Sequence, residues 1–522
     1  MLRLDMETKS LKDCEKRKKK GLIFFDRYDI LKKKEILMKG SLNKGFISYL
    51  LLFVGLLLAC VLIVMTIMIM SPGTSILGYC YVKQTKVYTI DTFNGDDGTN
   101  FVDSEGNKID FASQENQKYI DFSKIDTLNI SANYSSVKVR RGNFSRIKVI
   151  TTVKGFAKAK DAKDIVVNKY YESQSLLSVE VQDQDYLWTV ADGRVIEITL
   201  TESDYSALEV NILTKNGNIS FANDKSKTES ESVMVFGGIK AKTENGNIWL
   251  SDDVNPNGLL KNLDLNTKKG DISIGNVKKT IVETTPEQNC IPTITLTAEN
   301  GKITTKDIQA DILTLAGDKT KTDIGNIEAN KVDFQIKSGI VEIGNITGNL
   351  VDSNEVANNV KLDVGDVSGS VVLPNLTDSP LTFGNVGGDV LISTKAGSVN
   401  IKKAVKKIDI RTQSGTIDIK VANDENITYL STKNGAINVM FSDVKEQNDV
   451  LSENGQITIS YTQNDIFKLI AKAKNINFKS ENKTINNQAT GYPSISNSEV
   501  ATSDVVNVET KGDVDVFSVA SV

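Results

Sequence analysis

The chain has 522 residues, 40% hydrophobic and 25% charged, with a formal net charge of −4, a balance ordinary for folded protein, so that disorder is not expected by default. It contains no histidine, which removes Ser-His-Asp and Cys-His catalysis and the commonest metal ligand together. Only seven prolines stand among abundant Gly, Asn, Thr, Ser, Ile and Val, the composition of short β-strands punctuated by tight turns.

Residues 1–45 hold 14 Lys or Arg against seven Asp or Glu, so they carry +7 and the remainder −11. The basic runs Lys16-Arg17-Lys18-Lys19-Lys20 and Lys32-Lys33-Lys34 fall here, and Asp26 to Met38 could form a basic helix for a partner. Phe46 to Met70 then runs 25 residues without a charge, long enough at ~1.5 Å per residue to cross a ~30 Å hydrocarbon core in contact with membrane lipid. A signal peptide would have a shorter apolar core near the start of the chain and small residues at a cleavage site. Here 45 residues precede the segment and Ser71-Pro72-Gly73 follows it, so it is expected to stay as an anchor. The positive-inside rule places residues 1–45 in the cytoplasm and 71–522 outside, a single-pass cell-membrane arrangement. Setting topology and touching anionic headgroups explains the basic runs; with no aromatic interleaving, no nucleic-acid partner is expected.

Cys14, Cys60, Cys80 and Cys290 lack C-x-x-C spacing, which argues against zinc and against a disulfide framework. Outside the cell Cys80 and Cys290 could pair, but nothing in the sequence brings them together, so unpaired thiols are expected.

Residues 71–118 read as a juxtamembrane stalk, rich in turn formers such as Asn94-Gly95-Asp96-Asp97-Gly98. The EF-hand order is not met, so no metal is assigned to these carboxylates. Residues 119–205 read as a lead-in or capping β-module. Ile125-Asp126-Thr127-Leu128-Asn129-Ile130, Val137-Lys138-Val139 and Ile147-Lys148-Val149-Ile150 alternate with period two, as half-buried strands do. Lys158 to Tyr171 could hold a short helix, and Val195 to Leu200 resumes the strands.

From 206 to 522 one phrase recurs, Thr-x-x-Gly-x-Φ-x-Φ (Φ apolar), first as Thr214-Lys215-Asn216-Gly217-Asn218-Ile219-Ser220-Phe221. Its glycine returns at Gly246, Gly270, Gly301, Gly339, Gly397, Gly415, Gly435, Gly455 and Gly512. Apolar pairs sit at −7 and −5, as Val210 and Ile212, and at +2 and +4, as Ile417 and Ile419. Each pair puts two apolar side chains on one face of a short strand, too little to bury alone, so the rungs must stack. The predicted fold is all-β, a stacked short-strand β-solenoid or β-roll behind a single transmembrane helix. The glycine suits a corner needing positive φ. A second phrase, as in Ile324-Gly325-Asn326-Ile327 and Ile343-Gly344-Asn345-Ile346, is expected to supply another corner. With Gly317 and Gly365 as looser copies, about a dozen rungs are expected. The pattern lapses over residues 478–503, read as a loop or edge cover before a last rung from Val506 to Val516.

The strand-turn-strand repeats Lys215-Asn216-Gly217-Asn218-Ile219, Glu244-Asn245-Gly246-Asn247-Ile248 and Gln413-Ser414-Gly415-Thr416-Ile417, with the lead-in Leu128-Asn129-Ile130 and Val137-Lys138-Val139, resemble the bacterial putative-adhesin family of β-strand-repeat proteins (the DUF4097-type domain). The resemblance covers residues 120–520 and implies cell-surface binding with no catalytic residues. The expected function is that of a membrane-anchored adhesin or envelope-binding protein, not an enzyme, whose polysaccharide or protein ligand the sequence does not name. A single-pass envelope-stress sensor and a polysaccharide-acting β-helix enzyme are the alternatives. The carboxylates and arginines that an enzyme would use, Asp252-Asp253, Arg140-Arg141 and Asp363 with Asp366, fall in turns or on outward positions. None recurs as a facing pair, so no catalytic, cofactor-binding or metal-ligating residue is assigned.

Overall fold

The computed structural model describes residues 44–71, 75–94, 102–103, 117–158, 166–173, 175–182, 188–201, 208–221, 236–250, 261–278, 292–352, 357–423, 428–444, 446–462, 467–479, 488–490, 492–496 and 504–519. They fall into two compact units, one formed by residues up to Lys83 with Gly155–Ala162 and Tyr186–Trp188, the other by the rest.

In the first unit, Lys44–Met70 is one α-helix of 27 residues, about 40 Å long. Its Ile47–Met70 stretch is long and apolar enough to cross a membrane, which agrees with the predicted segment. Side chains such as Leu52 and Phe53 stand exposed around it, as lipid-facing residues do. Ser71 N–H closes the helix on Ile67 O at 3.0 Å. Ser75 and Ile76 then pair antiparallel with Cys80 and Tyr79. The turn between them has positive φ at both Leu77 and Gly78, the combination that matches strand twist in a two-residue hairpin. Met68, Tyr81 and Phe156 form a small buried cluster, with the two rings edge to face at 5.2 Å. Cys80 is buried and unpaired among the described residues, and burial pushes its thiol up from the usual value. Cys14 and Cys290 lie outside those residues.

The second unit is a parallel β-solenoid. On its first face Leu128, Val210, Ile239, Leu263 and Ile294 follow one another in register. On its second face so do Val137, Ile219, Ile248, Ile272 and Ile303. Alternation sends these side chains inward, where they are 0–2% exposed, and their neighbours outward. In the middle levels Ile308, Ile327, Ile346, Val367 and Val386 make a third line of parallel pairing. The second phrase is therefore the corner between second and third faces, as predicted. There the acceptor oxygen of each Asn or Asp takes the backbone N–H one level on. Asp307 Oδ1 receives Asn326 N–H at 2.8 Å, Asn326 receives Asn345 at 3.0 Å, Asn345 receives Asp366 at 2.8 Å and Asp366 receives Asn385 at 2.7 Å.

Two points of the repeat reading change. Thr320, not Gly317, stands in register with Gly301 and Gly339, and Gly365 belongs to the second corner, its N–H bonded to Gly344 O. Sixteen parallel levels stack among the described residues, from Leu176–Gln182 and Val195–Leu200 at one end to Lys468–Lys472 and Asn475–Lys479 at the other. At ~4.8 Å each they run for roughly 70 Å.

Level order departs from chain order at both ends. Leu176–Gln182 and Val195–Leu200 lie outside the level built by Thr127–Ala132 and Ser136–Arg141, which itself pairs onward with the 209–221 level. Antiparallel Val166–Ser173 and Arg146–Lys158 cover that outermost level, so Val166 to Tyr171 is strand and not helix. At the far end Val505–Thr510 and Asp513–Val519 slot between Gln447–Ser452 with Ile457–Thr462 and Lys468–Lys472 with Asn475–Lys479. The last rung in sequence is thus the penultimate one in space. Tyr492–Ser496, from the irregular segment, pairs antiparallel with Lys468–Lys472 and protects an otherwise open parallel edge.

The recurring threonine and glycine meet at the first corner. The Thr432 hydroxyl accepts Gly435 N–H at 3.0 Å and donates to Gly415 O one level back at 3.3 Å. Ser452 and Thr510 repeat the relay, accepting Gly455 and Gly512 N–H and donating to Gly435 O and Gly455 O. The glycine requirement proves to be one of space. Of the ten phrase glycines only Gly270 and Gly339 have positive φ. A Cβ on Gly435 would instead stand far inside van der Waals contact of Gly415 O.

Gly435→Ala should therefore cost about 3 kcal/mol by overpacking, and Thr432→Val about 1–3 kcal/mol by leaving buried polar groups unmatched. Hydrogen exchange should show the lost protection concentrated in the levels between 412 and 455, since neighbouring levels share most contacts. Thr322 is the opposite case. It is fully buried in the column between Ile303 and Val341, and its hydroxyl has no partner among the described residues. Thr322→Val should be neutral or stabilising by up to about 1 kcal/mol, measured as a rise in melting temperature.

Candidate functional site

Because inward positions are packed and corners are occupied by hydrogen bonds, chemistry is left to the outward positions of the strands. Among the described residues, Arg140, Asp363 and Asp366 are not brought together there. Asp363 is an exposed outward residue of the second face, in register with Glu342 on one side and Thr382 on the other, whereas Asp366 sits in the second-corner ladder with Asn385. Arg140 is turned to the Thr199 hydroxyl at 3.2 Å, and Asp252-Asp253 lie outside the described residues. Among the described residues no cluster of three carboxylate or cysteine side chains is placed to hold a metal.

Asp323, Glu342 and Asp363 form an in-register row of carboxylates on the second face, while other outward charges are matched along the stack. A cleft of about 490 Å³ on the first face is bordered by Lys433, Glu453, Lys472, Glu509 and Lys511. Lys472 pairs with Glu509 at 2.9 Å and Lys511 with Glu453 at 3.3 Å, leaving little field for a charged ligand. Arg411 binds Asp409 through Nε at 2.8 Å and a terminal nitrogen at 2.9 Å, and its guanidinium lies 4.7 Å over the Tyr429 ring. The bonds to Asp409 raise the Arg411 pKa further above its usual value.

Leu213, Ile340 and Ile470 are exposed aliphatic side chains on the solenoid strands, and one outward position carries an exposed aromatic. In register along the second face run Lys138, Ser220, Trp249, Ser273 and Thr304. Trp249 is 47% exposed, although Ile248 and Leu250 on either side of it are buried core. Ser220 and Ser273, one level before and after, are too short to cover an indole. An open cleft of about 480 Å³ is lined by Lys138, Ser220, Trp249 and Ser273 together with Asn218, Asn247 and Asp271. The three corner residues hold one another: Asn218 Oδ1 accepts Asn247 N–H and Asn247 Oδ1 accepts Asp271 N–H, each at 2.8 Å, and Asp271 Oδ1 accepts Lys302 N–H at 2.8 Å. With their oxygens committed to backbone, the Asn218 and Asn247 Nδ2 groups are left as donors on an exposed corner.

Sequence reasoning passed over this place, yet the signal is there. At other Φ-x-Φ strands after the turn the central residue is small, polar or acidic, as Ser220, Thr304, Asp323 and Asp418; Ile248-Trp249-Leu250 alone carries an aromatic there.

No known protein-family profile matches the chain, and no curated protein matches it. Among solved structures, a putative cell adhesion protein from Clostridium sporogenes matches at 10% identity over 77% of this chain and 96% of that one, with a TM-score of 0.11. At that score the likeness carries no argument about this chain.

Trp249→Ala should change the melting free energy by less than about 0.5 kcal/mol, as surface substitutions do. Its inward neighbour Ile248→Ala should cost about 2–5 kcal/mol. Parallel thermal melts of the two variants test the inward and outward assignment directly.

Proposed function

We infer that the protein is a membrane-anchored display protein, holding a rigid β-solenoid outside the cell to bind surface or envelope material without transforming it. The observation that carries this reading is the division of side chains in the solenoid. Successive levels commit their apolar residues to one continuous core, leaving outward rows of Ser, Thr, Asn, Asp and Lys that repeat level by level. Such rows give broad, shallow, polar contact surfaces, and solenoids use surfaces of this kind for binding. The helix ending at Met70 and the +7 charge of residues 1–45 support anchoring with the amino terminus inside. A non-catalytic role follows the resemblance noted in the sequence.

Protease treatment of intact cells should degrade residues 71–522 and leave a fragment containing residues 1–70; full protection of the solenoid would overturn the orientation. Full-length protein in detergent should sediment with envelope polysaccharide and release no reducing ends from it. Turnover of that polysaccharide would defeat the binder reading. Altered transcription after deletion of residues 1–45, with surface binding unchanged, would favour the sensor.

A further inference from the structure

We propose that the cleft around Trp249 is a saccharide-binding subsite that takes a neutral pyranose oligosaccharide. The inference rests on the display reading and supplies its ligand class. A pyranose ring has an apolar face of axial C–H groups and a rim of hydroxyls. It is bound by an exposed aromatic surface beside fixed hydrogen-bonding groups, and this place offers both.

The aromatic surface is Trp249, which the strand alternation turns outward at 47% exposure, with Ser220 and Ser273 in register on the adjacent levels. No core packing explains a large apolar side chain there, since Ile248 and Leu250 already fill the inward positions of its strand. The polar groups are the Asn218, Asn247 and Asp271 side chains. Their Oδ1 atoms are held at 2.8 Å by backbone N–H groups of the next level, so the remaining Nδ2 donors and the Asp271 Oδ2 acceptor are presented at a spacing of one level, ~4.8 Å. Donors fixed in this way lose little freedom when a ligand engages them. Ser220 and Ser273 add hydroxyls that can donate or accept.

The surroundings favour a saccharide over a protein partner. A protein hot spot centred on tryptophan sits within a wider apolar patch, in an interface of about 1,000 Å² or more. Here the indole has polar neighbours on every in-register side, in a cleft of about 480 Å³, a size suited to a small ligand. Lys138 at one side and Asp271 at the other leave no net charge for an anionic ligand to select.

The test is calorimetric titration of the full-length chain in detergent with cellotetraose and with chitotetraose, repeated on Trp249→Ala, Trp249→Phe and Asn247→Asp. Saturable one-site binding of either sugar is expected. Trp249→Ala should weaken it about ten-fold or more, Trp249→Phe should retain most of it, and Asn247→Asp should weaken it by removing the donor while keeping the acceptor that the ladder needs. Unchanged melting of each variant shows that the fold is intact. Binding indifferent to Trp249→Ala, or absent for both sugars, overturns the proposal, as does a protein ligand that competes at Trp249 when neither sugar binds. If envelope polysaccharide is still captured by Trp249→Ala, this subsite fails while the display reading stands.

Discussion

The solenoid depends on how closely one level can approach the next at the glycine corner. There a backbone carbonyl of one level points at the glycine of the following one, with no room for a Cβ between them. The buried hydroxyl of the threonine three residues earlier joins the two levels, as at Thr432 between Gly435 N–H and Gly415 O. At most levels a small residue and a bifunctional hydroxyl act together, the hydroxyl accepting from its own turn and donating to the previous one; at one level Thr320 takes the glycine's place and its own hydroxyl donates to Ala298 O. Once the corner is pinned, strand register follows on both sides, and register decides which residues face the core.

The second corner reaches the same end by other means. It uses only an acceptor oxygen, aimed at the next level's N–H. Asn and Asp present that oxygen equally well, which accounts for their alternation through Asp307, Asn326, Asn345, Asp366 and Asn385. The carboxylates of Asp307 and Asp366 are thereby structural. Asp366, which looked from sequence like half of a catalytic pair with Asp363, is a ladder member whose first oxygen is already bonded to Asn385 N–H.

Local features were legible in the sequence and long-range order was not. The Φ-x-Φ pairs identified inward columns correctly, since strand alternation is set by residues two apart. The Ile-Gly-Asn-Φ phrase identified a corner for the same reason. The cause of the glycines was misread because a tight turn and a close interlevel approach leave the same residue behind, and only the stacked neighbour, such as Gly415 against Gly435, separates them. Level order at the ends was beyond reach: Val505–Thr510 pairs with strands on both sides, and no local pattern records which strand lies beyond it. The strand Val166–Ser173 was similarly hidden, because it is specified by antiparallel pairing to Leu176–Gln182 more than by its own weak alternation.

The same hierarchy explains why Trp249 is informative when the carboxylates are not. Inward positions are constrained by packing and corner positions by interlevel hydrogen bonds, so polar residues there answer to the fold. The outward central position of a Φ-x-Φ strand answers to neither, and across the levels it accepts Ser, Thr, Asp, Glu and Asn alike. Single exposed aliphatics such as Leu213 and Ile340 are ordinary; what distinguishes Trp249 is a broad aromatic face among short polar neighbours. Its presence beside a row of amide groups already oriented by the corner ladder places recognition where the scaffold is rigid and the surface is free to vary.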